Sequence, residues 1–228
     1  MISVIIPAYN EEENLKRIPS ELMPVMKKYD HEIIIVDDGS IDGTAQAAAR
    51  LTSKRIRLVK HPKNLGLGAA VKTGIKNAHG DTLIFLDADF TFHPKEIPKL
   101  LEKYQEGWDC VIGTHFGKNS KSQIQLHRKI LSRGVNMLYQ ILLGRKVTAV
   151  SSIFRVYKKS ALRGISMDSN DFSINAEILF DMIKKGKSVT EVPVTLTTRI
   201  YGESKINNTR EIKNHLRMLG KIIKWRIS

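Results

Sequence analysis

Two short acidic runs hold the residues in this chain best suited to chemistry. Asp37-Asp38-Gly39-Ser40 follows the apolar run at 33–36, and Asp87-Ala88-Asp89 follows the apolar segment at 82–86. In extended backbone, residues i and i+2 project to one side, so Asp87 and Asp89 can converge on one object. Two carboxylates sharing a site resist joint ionisation unless a cation lies with them. A divalent metal resolves that conflict. Mg²⁺ typically takes one or two protein carboxylates and completes its octahedron with water and substrate phosphates. The pair therefore predicts a metal bridging the protein to a diphosphate; the plainer alternative is a turn cap at Asp87 and a solvated loop residue at Asp89.

Asn64-Leu65-Gly66-Leu67-Gly68-Ala69-Ala70 invites comparison with a dinucleotide fingerprint. Val71 stands where the third glycine belongs, and five residues separate Gly66 from the preceding strand candidate, whereas that fingerprint needs a tight strand-to-helix turn. The segment predicts a loop opening a helix, not a nicotinamide or flavin site.

The elements that position these residues alternate. Strands are predicted over 3–7, 32–36, 55–60, 82–86 and 110–114, with helices near 11–28, 42–53, 67–78 and 95–106. Such alternation predicts an α/β fold with a mostly parallel sheet flanked by helices and a Rossmann-like N-terminal half. Ligands of open α/β sheets bind at the C-terminal ends of the strands, where both acidic runs fall. Further along, the pattern predicts helices near 126–143 and 172–185, an extended segment over 188–198 and a basic helix near 209–226. The expected organisation is one domain over 1–208, divided into halves at 1–114 and 115–208, followed by a C-terminal helix over 209–228.

The composition of the 228 residues, 42% hydrophobic and 26% charged, excludes disorder and collagen-like repeats. No apolar run approaches the ~20 residues of a membrane-spanning helix. The N-terminus runs directly into a strand without a basic leader, which predicts a cytoplasmic protein. Cys110 stands alone and reads as a small buried hydrophobe. The net charge of +14 is unevenly spread: residues 1–114 carry 15 Lys/Arg against 16 Asp/Glu, and residues 115–228 carry 22 against 7. The second half is therefore built to meet something anionic.

Pro7-Ala8-Tyr9-Asn10-Glu11, Asp37-Asp38-Gly39-Ser40, Asn64-Leu65-Gly66-Leu67-Gly68, Asp87-Ala88-Asp89 with His93-Pro94, and Tyr201-Gly202-Glu203-Ser204-Lys205 occur together and in order. In this the chain resembles the family 2 glycosyltransferases of GT-A fold, and within them the dolichyl-phosphate mannose synthase group. The match continues at 128–134, at Phe154-Arg155, at Glu191-Val192-Pro193 and at Arg199. The resemblance implies inverting transfer of a hexose, with GDP-mannose as donor and a polyprenyl or dolichyl phosphate as acceptor, and makes 1–114 the nucleotide-sugar-binding half and 115–208 the acceptor-binding half. Pro7, Tyr9, Glu11, Val36 and Asp38 are then expected to line the nucleoside pocket. Asp87, Ala88 and Asp89 are expected to hold ribose, diphosphate and a Mg²⁺ or Mn²⁺ ion, with Asp89 the nearest ligand and Thr91 a further contact. Arg199 and Lys205 are expected on the donor phosphates, and Arg128, Arg133 and His115 on the acceptor phosphate. Catalysis is expected to rest on Asp89, Arg128, Arg199 and Lys205. The chain departs from the group at His115, where an arginine is usual, and at Ala149, where an aspartate is usual.

The chemistry agrees with that implication. Departure of a nucleoside diphosphate builds charge on the β-phosphate, which a metal and basic side chains stabilise. A phosphate monoester with its second pKa near ~6 is already largely dianionic at pH 7 and needs no general base. A sugar hydroxyl needs one, and Glu177 and Asp171 are the candidates for that variant. Beyond 206, six Lys/Arg face one acid, and Ile212, Leu216, Leu219, Ile223 and Ile227 fall on one helical face. That helix either lies in a membrane interface or packs on the domain. Peripheral attachment at the cytoplasmic face of a membrane, helped by a small membrane protein, is the corresponding expectation; the segment at 130–143 is a second candidate for touching lipid. Competing readings are a soluble acceptor or another donor, a silent nucleotide-sugar-binding relative, and a nucleic-acid-binding module. The last lacks interleaved stacking aromatics and any RRM, KH or helix-turn-helix signature, so no nucleic-acid partner is expected.

Overall fold

The computed structural model describes residues 1–115, 147–202, 217, 219, 220 and 223. Seven strands form one sheet: β1 (Ile2–Ala8), β2 (His31–Asp37), β3 (Ile56–Lys60), β4 (Thr82–Phe85), β5 (Cys110–Thr114), β6 (Arg155–Lys158) and β7 (Val189–Pro193), in the order β3-β2-β1-β4-β6-β5-β7. All run parallel except β6, which is antiparallel to both β4 and β5. The expected mostly parallel α/β sheet is present, and its five N-terminal strands fall within a residue or two of their predicted bounds. Strand β6 is not among the predicted strands; it has four residues and begins with a fully buried arginine, so no apolar run marks it.

Alternation along the strands builds two cores. Ile5, Ile34, Val36, Phe85, Ile112 and Tyr157 face one side and pack with α4 (Leu67–Asn77) and α6 (Ile174–Lys184). Val4, Ile6, Ile33, Ile35, Ile84 and Val111 face the other and pack with α1 (Glu12–Leu15), α2 (Met23–Met26), α3 (Thr44–Leu51) and α5 (Ile97–Tyr104). Every residue of β2 is buried, as expected of a central parallel strand covered on both faces.

The helix predicted near 11–28 is three pieces: α1, a wider π-type turn at Ile18–Leu22, and α2. Pro19 and Pro24 each stand in the first turn of the second and third pieces, where a missing N–H is tolerated; neither can continue a preceding helix. Of the basic C-terminal helix, Leu219 is 7% exposed and joins the first core, whereas Arg217 is exposed and Ile223 is 44% exposed. The middle of the apolar stripe thus packs on the domain. The rest of that helix, and the helix predicted near 126–143, lie outside the described residues. Among the described residues no helix is long and apolar enough to cross a membrane.

At the start of β2, Glu32 gathers Ser3 Oγ (2.6 Å), the His79 amide (2.6 Å) and Arg57 Nη2 (2.7 Å). Burial alone raises this carboxyl. The hydrogen bonds from Ser3, His79 and Arg57, with the Arg57 charge, outweigh burial and hold it down to about 2 from an ordinary 4.5. A depressed carboxylate contributes stability above its unfolded pKa and loses it as pH falls through the folded one. Glu32→Gln should therefore cost about 2 kcal/mol at pH 7, a figure discounted because Arg57 is a third exposed. The cost should shrink between pH 4.5 and 2. Urea midpoints of both proteins at pH 7 and pH 3 check this; an equal difference at both values contradicts it.

Candidate active site

Three loops meet beyond the C-terminal ends of β1, β2 and β4. Asn10 adopts a left-handed φ of 56°, which its short polar side chain tolerates. Its amide donates to Ser40 Oγ (2.9 Å) while its Oδ1 accepts from the Ile41 amide (3.0 Å). The first loop is thereby tied to the second. Thr44 Oγ1 accepts the Glu11 amide at 2.7 Å, which fixes the Glu11 side chain beside the acidic loop after β4.

Asp38 organises the next wall. Its Oδ1 accepts the Leu65 amide (3.0 Å) and lies 2.6 Å from His61 Nδ1, and its Oδ2 accepts the Gly66 amide (2.8 Å). His61 Nε2 in turn lies 2.9 Å from Thr73 Oγ1 on α4. The 64–68 segment does open a helix, as predicted, and lies against residues 169–170. Gly66 has φ of 95°, and a Cβ there meets the Asn170 carbonyl; one on Gly68 meets the Ser169 carbonyl. These glycines permit close backbone contact with residues 169–170.

The acidic loop after β4 is held open by a turn. The Phe90 amide reaches the Asp87 carbonyl (3.2 Å), with Phe90 itself at a left-handed φ of 53°. Arg17 caps the turn: its Nη1 donates to the Asp89 carbonyl (2.7 Å), and its guanidinium lies 5.2 Å from the Phe90 ring centre. Asp89 Oδ1 accepts the Thr91 amide (2.9 Å), and the Thr91 carbonyl accepts the Thr197 amide (2.9 Å), which brings residues 197–201 over the loop. Arg199 then pairs with Glu11 Oε1 and stands 3.5 Å from Asp89 Oδ2.

Among the described residues three carboxylates, Glu11, Asp87 and Asp89, thus share one end of the sheet with the Arg199 guanidinium, while Arg17 pairs with Glu21 and the Asp89 carbonyl. Desolvation, then the charges of Asp89 and Glu11, push the Asp87 carboxyl well above the usual carboxylate range, against the opposing pull of Arg199. The Asp87 side chain accepts no hydrogen bond among the described residues. Among those residues no three His, Cys, Asp or Glu side chains form a ready metal cage. Two adjacent carboxylates carrying excess negative charge fit a hard cation that takes its other ligands from water and phosphate, not one enclosed by protein.

The structure brings Tyr9, Glu11, Asp38, Asp87, Ala88, Asp89, Thr91 and Arg199 to this end. Pro7 and Val36 pair across β1 and β2, and the Val36 side chain is fully buried in the core, leaving only its backbone toward any nucleoside. His115 follows β5, with its ring 6.3 Å from Phe92. Arg128, Arg133 and Lys205 lie outside the described residues. Of the candidate bases, Glu177 Oε2 accepts the Ser169 amide (2.8 Å) and Asp171 Oδ1 caps Ser173 (2.9 Å); both hold backbone. Sequence reasoning passed over Arg17 and His61, and marked Arg155 only within Phe154-Arg155, without a role. An arginine or histidine carries no signal of its partners until the fold supplies them.

The family described as Glycosyl transferase family 2 matches residues 3–166. The chain belongs to it. A hexosyltransferase was the expected enzyme, and that membership agrees with it. The family 2 chain is 36% identical over 98% of its length to a dolichol-phosphate mannosyltransferase of Pyrococcus furiosus, and spans 64% of that protein, a little under two thirds. It is 30% identical over 98% of its length to a polyprenol monophosphomannose synthase of Mycolicibacterium smegmatis, and spans 86% of it. Among solved structures it matches glucosyl-3-phosphoglycerate synthase of Mycobacterium tuberculosis in complex with Mn²⁺, UDP and phosphoglyceric acid. That match has a TM-score of 0.75 at 19% identity, over 99% of this chain and 78% of the other. The GT-A fold is thereby shown.

The narrower expectation is corrected. Placement in the dolichyl-phosphate mannose synthase group carried GDP-mannose, a polyprenyl or dolichyl phosphate and a membrane surface with it. A glucosyl-3-phosphoglycerate synthase structure that shares the fold over 96% of this chain is a complex with Mn²⁺, UDP-glucose and phosphoglyceric acid instead. Motifs expected to hold a diphosphate and a metal do not encode the acceptor, so they cannot carry the lipid assignment.

Proposed function

We propose that this family 2 glycosyltransferase moves a hexosyl group from a nucleotide diphosphate sugar to a small phosphate-bearing acceptor, with a divalent metal at Asp87 and Asp89. The observation that carries this is the excess of carboxylate at the strand ends, where among the described residues Glu11, Asp87 and Asp89 stand with Arg199, next to a loop wall fixed by Asp38. UDP-glucose and phosphoglycerate are the pair to test first, since the fold's solved relatives hold them. A phosphate on the acceptor is the feature common to the names of these relatives and those matched by sequence.

Asp89 and Asp87 hold the metal in this reading. The bound cation stabilises negative charge on the departing diphosphate. Arg199 is placed to do the same with a planar fork of donors, once it exchanges Glu11 for phosphate. Tyr9 and the Asp38-held loop shape the nucleoside side. The basic second half lowers the repulsion between an anionic acceptor and an anionic donor.

Transfer of labelled sugar from a panel of nucleotide sugars, with Mg²⁺ or Mn²⁺ and an EDTA control, tests the reading. The expected product is water-soluble, arises from one donor, requires phosphoglycerate or a similar phosphorylated acceptor, and vanishes with EDTA. Product that partitions only into the organic phase overturns the soluble-acceptor reading. So does transfer to unphosphorylated sugars alone.

A further inference from the structure

The loop that follows β4 is gripped at two points by the segment joining α1 to α2. Ala88 and Asp89 are the central residues of the turn that the Phe90 amide closes on the Asp87 carbonyl, so the two carboxylates stand at its first and third positions. Phe90 leaves that turn at a left-handed φ of 53° with its ring buried. A bulky residue keeps such a conformation only where surrounding contacts impose it.

Arg17 supplies those contacts. Its Nη1 donates to the carbonyl of the Asp89–Phe90 peptide (2.7 Å) and, more distantly, to Asn14 Oδ1 (3.4 Å), while the guanidinium covers the Phe90 ring. Glu21 takes the other edge of the fork: Nε donates to Oε1 (2.7 Å) and Nη2 to Oε2 (3.1 Å), a bidentate fit that fixes the plane of the guanidinium. The Arg17 side chain is 11% exposed, so it is seated in the fold and not free in solvent.

Glu21 is tied in turn to the far end of the loop. His93 Nδ1 accepts the Lys95 amide (3.1 Å), which leaves the ring proton on Nε2, and Nε2 lies 3.2 Å from Glu21 Oε2. Residues 17 and 21, four apart on one wide turn, thus hold the loop at 89–90 and again at 93. The sequence marks His93-Pro94 beside Asp87-Ala88-Asp89 without giving it a task; the fold gives that histidine a partner.

We propose that Arg17, oriented by Glu21 and His93, is a positioning residue for the metal carboxylates: it fixes the backbone between Asp89 and Phe90, and with it the placement of Asp87 and Asp89 toward a divalent cation. The inference rests on the metal-assisted transferase reading for the identity of that cation. A hard cation held by only one or two protein carboxylates depends on where they stand. Groups that orient a metal's ligands without touching the metal set its affinity by about 10–100-fold. Charge and placement predict opposite results at this residue. Arg17 is a cation beside an acidic loop, so on charge alone its removal tightens metal binding. On placement, its removal weakens it.

Mn²⁺ alone, added to the full chain with no donor present, separates the two. The EPR signal of free Mn²⁺ gives the affinity, and Asp89→Asn marks the share bound at the site. Arg17→Met should need roughly tenfold more Mn²⁺ for half-saturation. Arg17→Lys keeps the charge but not the fork, and should need about threefold more; it carries the test alone where the methionine variant does not fold. Mn²⁺ binding as tight as the parent's, or tighter, in either folded variant overturns the inference. Deuterium exchange at the Phe90 and Thr91 amides, measured in EDTA, reads the placement without metal. It should quicken about tenfold in Arg17→Met, with Leu65 and Gly66 within about twofold of the parent. Parent-like exchange at Phe90 and Thr91 also overturns the inference. A parent chain that binds no Mn²⁺ sinks the metal reading, and the exchange result then decides the role of Arg17 in the turn.

Discussion

Asp89→Asn should lower transfer by roughly 10²–10³-fold, the cost of removing a group that holds charge opposite a developing anion. The variant spares the fold. An asparagine Oδ1 still accepts the Thr91 amide, and Arg17 still caps the Asp89 carbonyl, because neither contact needs the negative charge. Removing that charge also relieves Asp87, whose carboxyl is pushed up by burial and then by Asp89 and Glu11. The loss should therefore appear as a higher metal concentration for half-maximal activity and weaker metal-dependent donor binding, with the melting temperature held. Metal titrations of activity, beside thermal melts, read both. An unchanged metal requirement contradicts the assignment of Asp89 to the metal.

Asp38→Ala should have the largest effect on stability. The carboxylate is 3% exposed and accepts two loop amides besides its contact with His61; the alanine leaves all three groups without it. An unmade buried hydrogen bond to a charged group costs about 1.5–3 kcal/mol, and the three are coupled, so a total on the order of 3 kcal/mol is expected. For a chain of this size that is a melting-temperature fall of roughly 6–12 °C. Hydrogen exchange at Leu65 and Gly66 should rise with it, and donor affinity should weaken because the wall beside Asp37-Asp38 has lost its tie to α4. Asp38→Asn keeps one acceptor and should fall between the two. A melting temperature within about 2 °C of the parent contradicts the role given to Asp38.

What could be read from the residues and what could not divide along physical lines. Apolar runs at 33–36 and 82–86 announce buried parallel strands because such strands need apolar residues on both faces. The same runs place Asp37-Asp38 and Asp87-Ala88-Asp89 at strand ends, which is where they lie in the fold. Strand β6 escapes because its four residues include Arg155, a residue type that reads as surface until the fold surrounds it with carbonyls. The helix at 11–28 is apolar at helical spacing, yet Pro19 and Pro24 cut it, and spacing alone does not locate the cuts. Glu11 and Arg199 meet across 188 residues of sequence, which no local pattern reports. The proposed acceptor is the least legible part, since residues 115–228 are distinguished in the sequence mainly by their charge.

Calorimetric titration of UDP into the full chain, with Mn²⁺ and then with EDTA, tests the central claim most directly. The account predicts saturable binding with Mn²⁺, loss of most of that affinity in EDTA, and the same loss in Asp89→Asn with Mn²⁺ present. Binding of equal strength with and without the metal, or none in either condition, contradicts a metal-assisted diphosphate site at Asp87 and Asp89.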